Sequence, residues 1–454
     1  MLKYQNMDFE KTPKIEQIAD QYEALLLLEP KPITNYVPAN AAEQKDAFLR
    51  GEIYAPDHTY PKLAAIDFEE RLQDIDAVGA RILDNPLLAP KHTAVYEQFI
   101  ASYKKKTQLM QLAYELKICD DPIEEEGIRQ EYMALNIEIC GAPQENTYRS
   151  LLQEKLAVIG DKSLEGPAAS LRDELFVMAG YDESIEEIER FKPSDETVEW
   201  VKEAAETLYG GMLSHIPDRE TFTREDVQCI FTAIIEEEFG EAAADWRVDI
   251  EAAKSINVKS TEKRVVIPDN RADMTREALR GLVVHEIGVH VLRSIIGGET
   301  NLHPLRNGLD SYYDSEEGLG KVMEQAINGT FVEAGIDHYI TAGAAYFDGK
   351  DFRELFELKW RLGALSSLKE GEQLTEAAIA KAKNAAYNGT MRLLRGTDEL
   401  PWFKDLSYYN GSVDMWRHLE EIKGDDTKFM FVLMGKANPA NIDHERILYE
   451  TATV

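Results

Sequence analysis

LVVHEIGVHVL, residues Leu282–Leu292, decides how the rest of this 454-residue chain is read. Apolar side chains point in nearly every direction around a helix axis here, so the helix is buried. Its only polar side chains are His285, Glu286 and His290. Burying three titratable groups without partners would cost on the order of several kcal/mol. A divalent cation removes that cost, because it turns the imidazoles into ligands and gives the carboxylate a water to act on. The familiar H-E-x-x-H pattern sets two histidines four residues apart on one helix face. Here the spacing is five. At about 100° per residue, a regular α-helix would point the two rings about 140° apart. A one-residue π-bulge restores a shared face, and such bulges cluster at functional sites. The spacing therefore predicts a bulge over 286–290, eased by Gly288.

Reading outward, Asp273 can cap this helix, which should run over 274–296 and stop at Gly297-Gly298. A loop of 16–18 residues follows, marked by His303-Pro304 and Asn307-Gly308. Loops of that length in a compact domain are usually functional or disordered. The next helix should run from about Ser315 to Tyr346. A catalytic zinc centre needs a third protein ligand and an open position for water. Asp314-Ser315-Glu316-Glu317-Gly318-Leu319-Gly320 can supply the ligand, although acids at a helix start also simply favour the dipole. Glu317 lies 32 residues after His285, room for a loop and a returning helix. The glycines after it allow that helix to come close. Glu324, seven residues on, shares its face and could orient a histidine ring.

HEIGVHVLR (285–293) and EEGLG (316–320) together resemble the microtubule-associated tyrosine carboxypeptidase family, whose bacterial members carry a QEGLA motif. His285, Glu286, His290, Arg293, Glu317, Gly318, Leu319 and Glu324 stand where the family pattern has its residues. Gly320 replaces the family's Ala, and Glu316 stands where many bacterial relatives have Gln. On that pattern Glu317 is the third ligand and Glu316 the fallback. The resemblance is strongest over 245–330, and YYNGSVDMW (408–416) also looks family-like. It implies one Zn²⁺ per chain, held by His285, His290 and Glu317, with Glu286 as general base. The implied activity is release of a C-terminal tyrosine or phenylalanine from a peptide or protein. The same motifs also resemble dipeptidyl peptidase III, which acts at the other end of a peptide. A catalytically silent zinc scaffold that binds peptide ends is the remaining alternative.

A carboxypeptidase needs a cation for the substrate's terminal carboxylate. Arg306, in the long loop, is the first candidate; Arg264 and Lys263 are the others. Arg293 suits a structural ion pair. Tyr312, Tyr313 and Tyr409 are candidates for the pocket wall or for oxyanion stabilisation.

Elsewhere the pattern is helical. Apolar periodicity marks 14–29, 65–84, 91–117, 122–140 and 144–159, then 168–190, 196–212 and 223–239. Residues 31–62 read as an irregular arm. WRVDIEAA (246–253) and RVVIP (264–268) read as strands, with a short strand and turn between them. After the motif helices come 351–366, 375–395 and 411–423, with an apolar run at 429–434. The expected architecture is a mainly helical α+β protein of the zincin-like metallopeptidase kind, a small sheet lying beside two metal-bearing helices. A helical N-terminal region over 1–165 would precede a catalytic domain over 166–454.

The formal net charge of −33 repels phosphate backbones and anionic lipid, which argues against nucleic-acid and membrane partners. No apolar run reaches the roughly 18 residues of a membrane span, and the N-terminus lacks a secretory signal's apolar core. Cys119, Cys140 and Cys229 are too few and too scattered for a disulfide framework or a zinc cluster. Buried free thiols in a reducing cytoplasm are the expectation. The oligomeric state is not written in the sequence.

Overall fold

A computed structural model describes residues 16–181, 189–253, 255–369 and 371–452. Among these residues the protein is mainly helical, with two small sheets. The long helices begin where the sequence supplies caps. Asp67 accepts from the Glu70 amide, Asp121 precedes Pro122, and Thr223/Asp226 and Asp351/Glu354 form reciprocal capping boxes.

The larger sheet has Arg264–Pro268 at its centre. Arg247–Glu251 pairs with it in parallel, and Asn257–Lys259 pairs antiparallel on the other side. Val265, Val266 and Ile267 of the central strand are fully buried. The edge strand Asn257–Lys259 packs beside the motif helix.

Two expected boundaries shift, each for a local reason. Asp273 is not the cap of the motif helix. Met274 and Thr275 pair with Phe222 and Thr221 in a two-residue ladder, so the chain stays extended there. Thr275 caps instead, its hydroxyl accepting from the Ala278 amide at 3.2 Å, and the helix begins at Arg276. The helix expected over 315–346 is two, Tyr313–Ala326 and Ile336–Phe347. Gly329 (φ 63°) and Gly335 (φ 72°) adopt left-handed backbone between them, which an α-helix cannot contain.

Other departures are smaller. The arm at 31–62 holds the short helices Pro32–Asn35, Ala41–Leu49 and Pro61–Ala64. Of the helix expected over 168–190, Pro167–Ala179 is present and ends at left-handed Gly180, while 182–188 lie outside the described residues. The helix Glu16–Leu26 occupies most of 14–29, whose first two residues are also outside them. The three cysteines are free, but none is fully buried as expected: Cys119 and Cys140 are half-buried, and Cys229 is exposed on the outer face of its helix.

Among the described residues three hydrophobic cores draw residues from both sides of residue 165, the smallest packing Tyr36, Leu63 and Tyr132 with Trp402. Tyr22, Ile75, Tyr96 and Phe99 pack with the motif helix, whereas Phe48, Tyr148 and Leu152 pack with the helices between 336 and 409. Polar contacts tie the same regions together. Asp398, in the loop after Glu376–Leu394, is a buried carboxylate. It accepts from the His58 amide and Nδ1 (both 2.8 Å), the Tyr60 hydroxyl (2.6 Å) and Lys117 Nζ (3.0 Å). Burial pushes its pKa up, but these donors outweigh that and hold it below the usual range. Asp398→Asn should therefore cost about 3 kcal/mol, since three partners lose a buried counter-charge or acceptor. Urea unfolding measures it, and a loss below about 1 kcal/mol would show the cluster to be incidental.

Candidate metal centre

The chain from Arg276 to Glu299 is one rod whose middle, Val283–Val291, is π-helical and wholly buried. The distortion foreseen at 286–290 is there and spans nine residues. It turns His285 and His290 towards each other, with ring centroids 4.9 Å apart and planes at 77°. Gly288 serves packing here. A Cβ at that position would lie 2.6 Å from the ring of Tyr209, which belongs to the helix Asp195–Ser214.

The helix Tyr313–Ala326 crosses this rod and brings the acids. Gly320 makes the approach possible, because a Cβ there would meet His285 Cε1 and Nε2 at 2.8 Å. Gly320, where the chain has no side chain and the family pattern has Ala, thus faces a candidate ligand ring. On the helix's other side, a Cβ on Gly318 would fall 2.2 Å from the Gly411 backbone. Gly411 belongs to Ser407–Glu421, within the stretch read as family-like, and one glycine contact locks the two helices together.

Donor atoms of His285, His290 and Glu317 lie within 4.8 Å of one another. The imidazoles are oriented from behind. His285 Nδ1 is 3.2 Å from Glu324 Oε2, and His290 Nδ1 is 2.8 Å from Glu316 Oε1. A carboxylate on Nδ1 fixes the proton there and leaves the Nε2 lone pair free for a cation. This donor set, two imidazoles and a carboxylate with acids behind the rings, suits zinc.

Glu316 does not join the three. It is buried between His290, Arg293 Nη1 (2.5 Å) and Lys436 Nζ (2.8 Å). Burial would raise its pKa, but Lys436, Arg293 and His290 hold it far below the usual carboxylate range. Arg293 is fully buried and also donates to the Ala437 carbonyl at 2.5 Å, the structural ion pair expected of it. Glu317 keeps a depressed pKa against its own burial through His290, Lys404 and His285.

Glu286 is also buried, between the two histidines in sequence. Burial pushes its carboxyl up to about 7, with Glu317 and Glu324 adding to the rise and His285 and Lys321 opposing it. A carboxyl near neutrality can both take and return a proton.

The cations read from the sequence for a substrate carboxylate are ion-paired. Arg306 Nη1 meets Glu23 at 2.8 Å, and its Nε donates to Asn307. Arg264 is held by Glu251 (2.8 Å), Glu262 (2.7 Å) and Asp249 (3.4 Å), and Lys263 by Asp245 (3.0 Å). Among the tyrosines, Tyr313 reaches the cluster, its hydroxyl donating to Glu317 Oε1 at 2.8 Å. Tyr312 packs its ring on Gly308, and Tyr409 joins the second core beside Tyr339. Lys404, Lys436 and Tyr408 were not visible in advance. They come from distant segments; Tyr408 opens the family-like YYNGSVDMW stretch, whereas no local pattern marks Lys404 or Lys436.

The rod unwound to converge two histidines, and the acid-bearing helix that crosses it, both lie within a stretch that matches a known family. The chain is a member of a family of carboxypeptidases. Residues 198–453, more than half of the chain, match the microtubule-associated tyrosine carboxypeptidase family, and the chain belongs to it. No curated protein matches the chain. Among the described residues no helix is long and apolar enough to cross a membrane.

Proposed function

We propose that this protein is a zinc-dependent carboxypeptidase of zincin-like build that releases a C-terminal aromatic residue, tyrosine or phenylalanine, from peptides or proteins. The convergence of His285, His290 and Glu317 donors within 4.8 Å, on a helix unwound at that point, carries the proposal. His285 Nε2, His290 Nε2 and a Glu317 oxygen would hold the ion. Bound there, zinc supplies Lewis-acid polarisation of the scissile carbonyl and a water acidified to a pKa of roughly 7. Glu286 takes the proton of the attacking water and delivers it to the leaving amine. Glu324 and Glu316 keep the two imidazoles aimed. The half-buried edge strand Asn257–Lys259, beside the π-helical segment, would let an extended substrate add as a further strand. Three free cysteines and no membrane-crossing helix among the described residues fit a cytoplasmic setting.

The test pairs metal content with terminus-blocked peptides. Protein purified without added metal should carry about one zinc per chain. It should release tyrosine from an N-acetylated peptide and fail on the C-terminal amide. Cleavage that requires a free N-terminus and tolerates the amide would favour a dipeptidyl peptidase III-like activity. Zinc without turnover on either peptide would favour a silent scaffold. A folded protein without metal would overturn the proposal altogether.

A further inference from the structure

Beside Glu317 the protein gathers positive charge that its own acids do not use up. Lys404 is largely buried, with 11% of its side chain exposed. Its ammonium lies 4.2 Å from the Tyr313 ring centroid and 5.8 Å from that of Tyr408. Its nearest acid is Asp405, at 3.5 Å, too far for a strong hydrogen bond. Asp405 is already engaged on both oxygens by Arg392, at 2.5 and 2.8 Å. Arg395 adds a third cation. Its guanidinium covers Trp402 at 4.7 Å, and its buried Nε has no partner among the described residues. Lys404, Arg392 and Arg395 thus share one aspartate within ion-pairing distance among the described residues, and Glu317 and Asp314 act on Lys404 only from further away, in a chain of net charge −33. Buried donors without acceptors are costly and imply an absent acceptor.

Geometry says which acceptor. In a carboxypeptidase substrate the free carboxylate sits one residue beyond the scissile carbonyl, about 3.8 Å along the chain. Its receptor must therefore stand about one side chain from the metal ligands. Lys404 is separated from Glu317 by the single ring of Tyr313, whose hydroxyl bonds that carboxylate. We propose that Lys404, backed by Arg395, receives the α-carboxylate of the residue to be released, with the Tyr313 and Tyr408 rings beside it. This rests on the carboxypeptidase reading above and replaces Arg306 and Arg264 in that role.

Binding to a Glu286→Gln background separates the two ideas, because no turnover intervenes. The probes are N-acetyl-Ala-Ala-Gly-Tyr with a free carboxylate and the same peptide as its amide, titrated calorimetrically. The background should bind the acid at least about tenfold more tightly than the amide, as charge-assisted hydrogen bonds allow. Adding Lys404→Met should collapse that gap to less than about twofold while amide affinity and zinc content stay put. Lys404→Arg should retain the gap. If Lys404→Met does not fold, Arg395→Met reads the same difference and should narrow it. A full gap in Lys404→Met, or in Arg395→Met where that variant stands in for it, overturns the assignment and leaves the carboxypeptidase reading intact. No preference for the acid in the background protein overturns both.

Discussion

Glu286→Gln is expected to lower kcat by about 10²–10⁴-fold, the usual contribution of a positioned general base, without loss of zinc or stability. The change removes only the capacity to move a proton, since Gln has nearly the same shape. It should not unfold the helix. Burial already pushes the Glu286 carboxyl up to about 7, so the site tolerates an uncharged group. Metal analysis, a melting curve and tyrosine release from the N-acetylated peptide check the three parts together. Retained zinc with near-normal turnover would remove Glu286 from the mechanism. Loss of zinc would mean that Glu286 acts on the ligands rather than on water.

Glu316→Ala should be the more damaging change to the fold, although Glu316 is outside the donor cluster. It would strand Arg293 and Lys436 as buried charges and release His290 from behind. Breaking a buried ion pair from one side costs about 3–5 kcal/mol. Losing the carboxylate behind a metal-binding histidine weakens metal affinity by about 10–100-fold. Urea unfolding reads the first effect and competition with a chelator the second. The sign of the pH dependence follows from the depressed pKa. Glu316 stabilises fully above the unfolded carboxylate value of about 4.3, and the contribution is lost as pH falls further towards the folded value. The wild type should thus lose more stability than Glu316→Ala below about pH 4. Equal slopes, with unchanged zinc affinity, would reduce Glu316 to a surface-like acid.

The two motif helices were legible because their chemistry is local. A spacing of five between His285 and His290 cannot be reconciled with a regular helix, so the π-helical segment could be deduced before it was seen. Glu324 was placed behind a histidine by helical periodicity alone. The choice of Glu317 over Glu316 rested on family resemblance. The reason Glu316 stands apart lies over a hundred residues away, in Lys436 and Ala437. Lys404 was hidden for the same reason, since a lysine's partners are set by tertiary packing. Arg306 looked available in a long loop, but nothing in that loop announces Glu23. The missed break after Ala326 is a different failure. Gly329 and Gly335 were present in the sequence, but apolar periodicity on both sides masked them. Thr275 was overlooked as a cap because a two-residue ladder is too short to leave an alternating pattern.

The grip of Lys436 and the Ala437 carbonyl on Glu316 and Arg293 also orders events while the chain is being made. Both motif helices leave the ribosome long before residue 437 does. Until then Glu316 and Arg293 lack their outer partners, and His290 lacks a fixed backing. The contacts behind His290 are therefore complete only once residues 436 and 437 have been made. A chain cut short before residue 436 would carry the whole H-E-x-x-x-H sequence while Glu316 and Arg293 lack those partners.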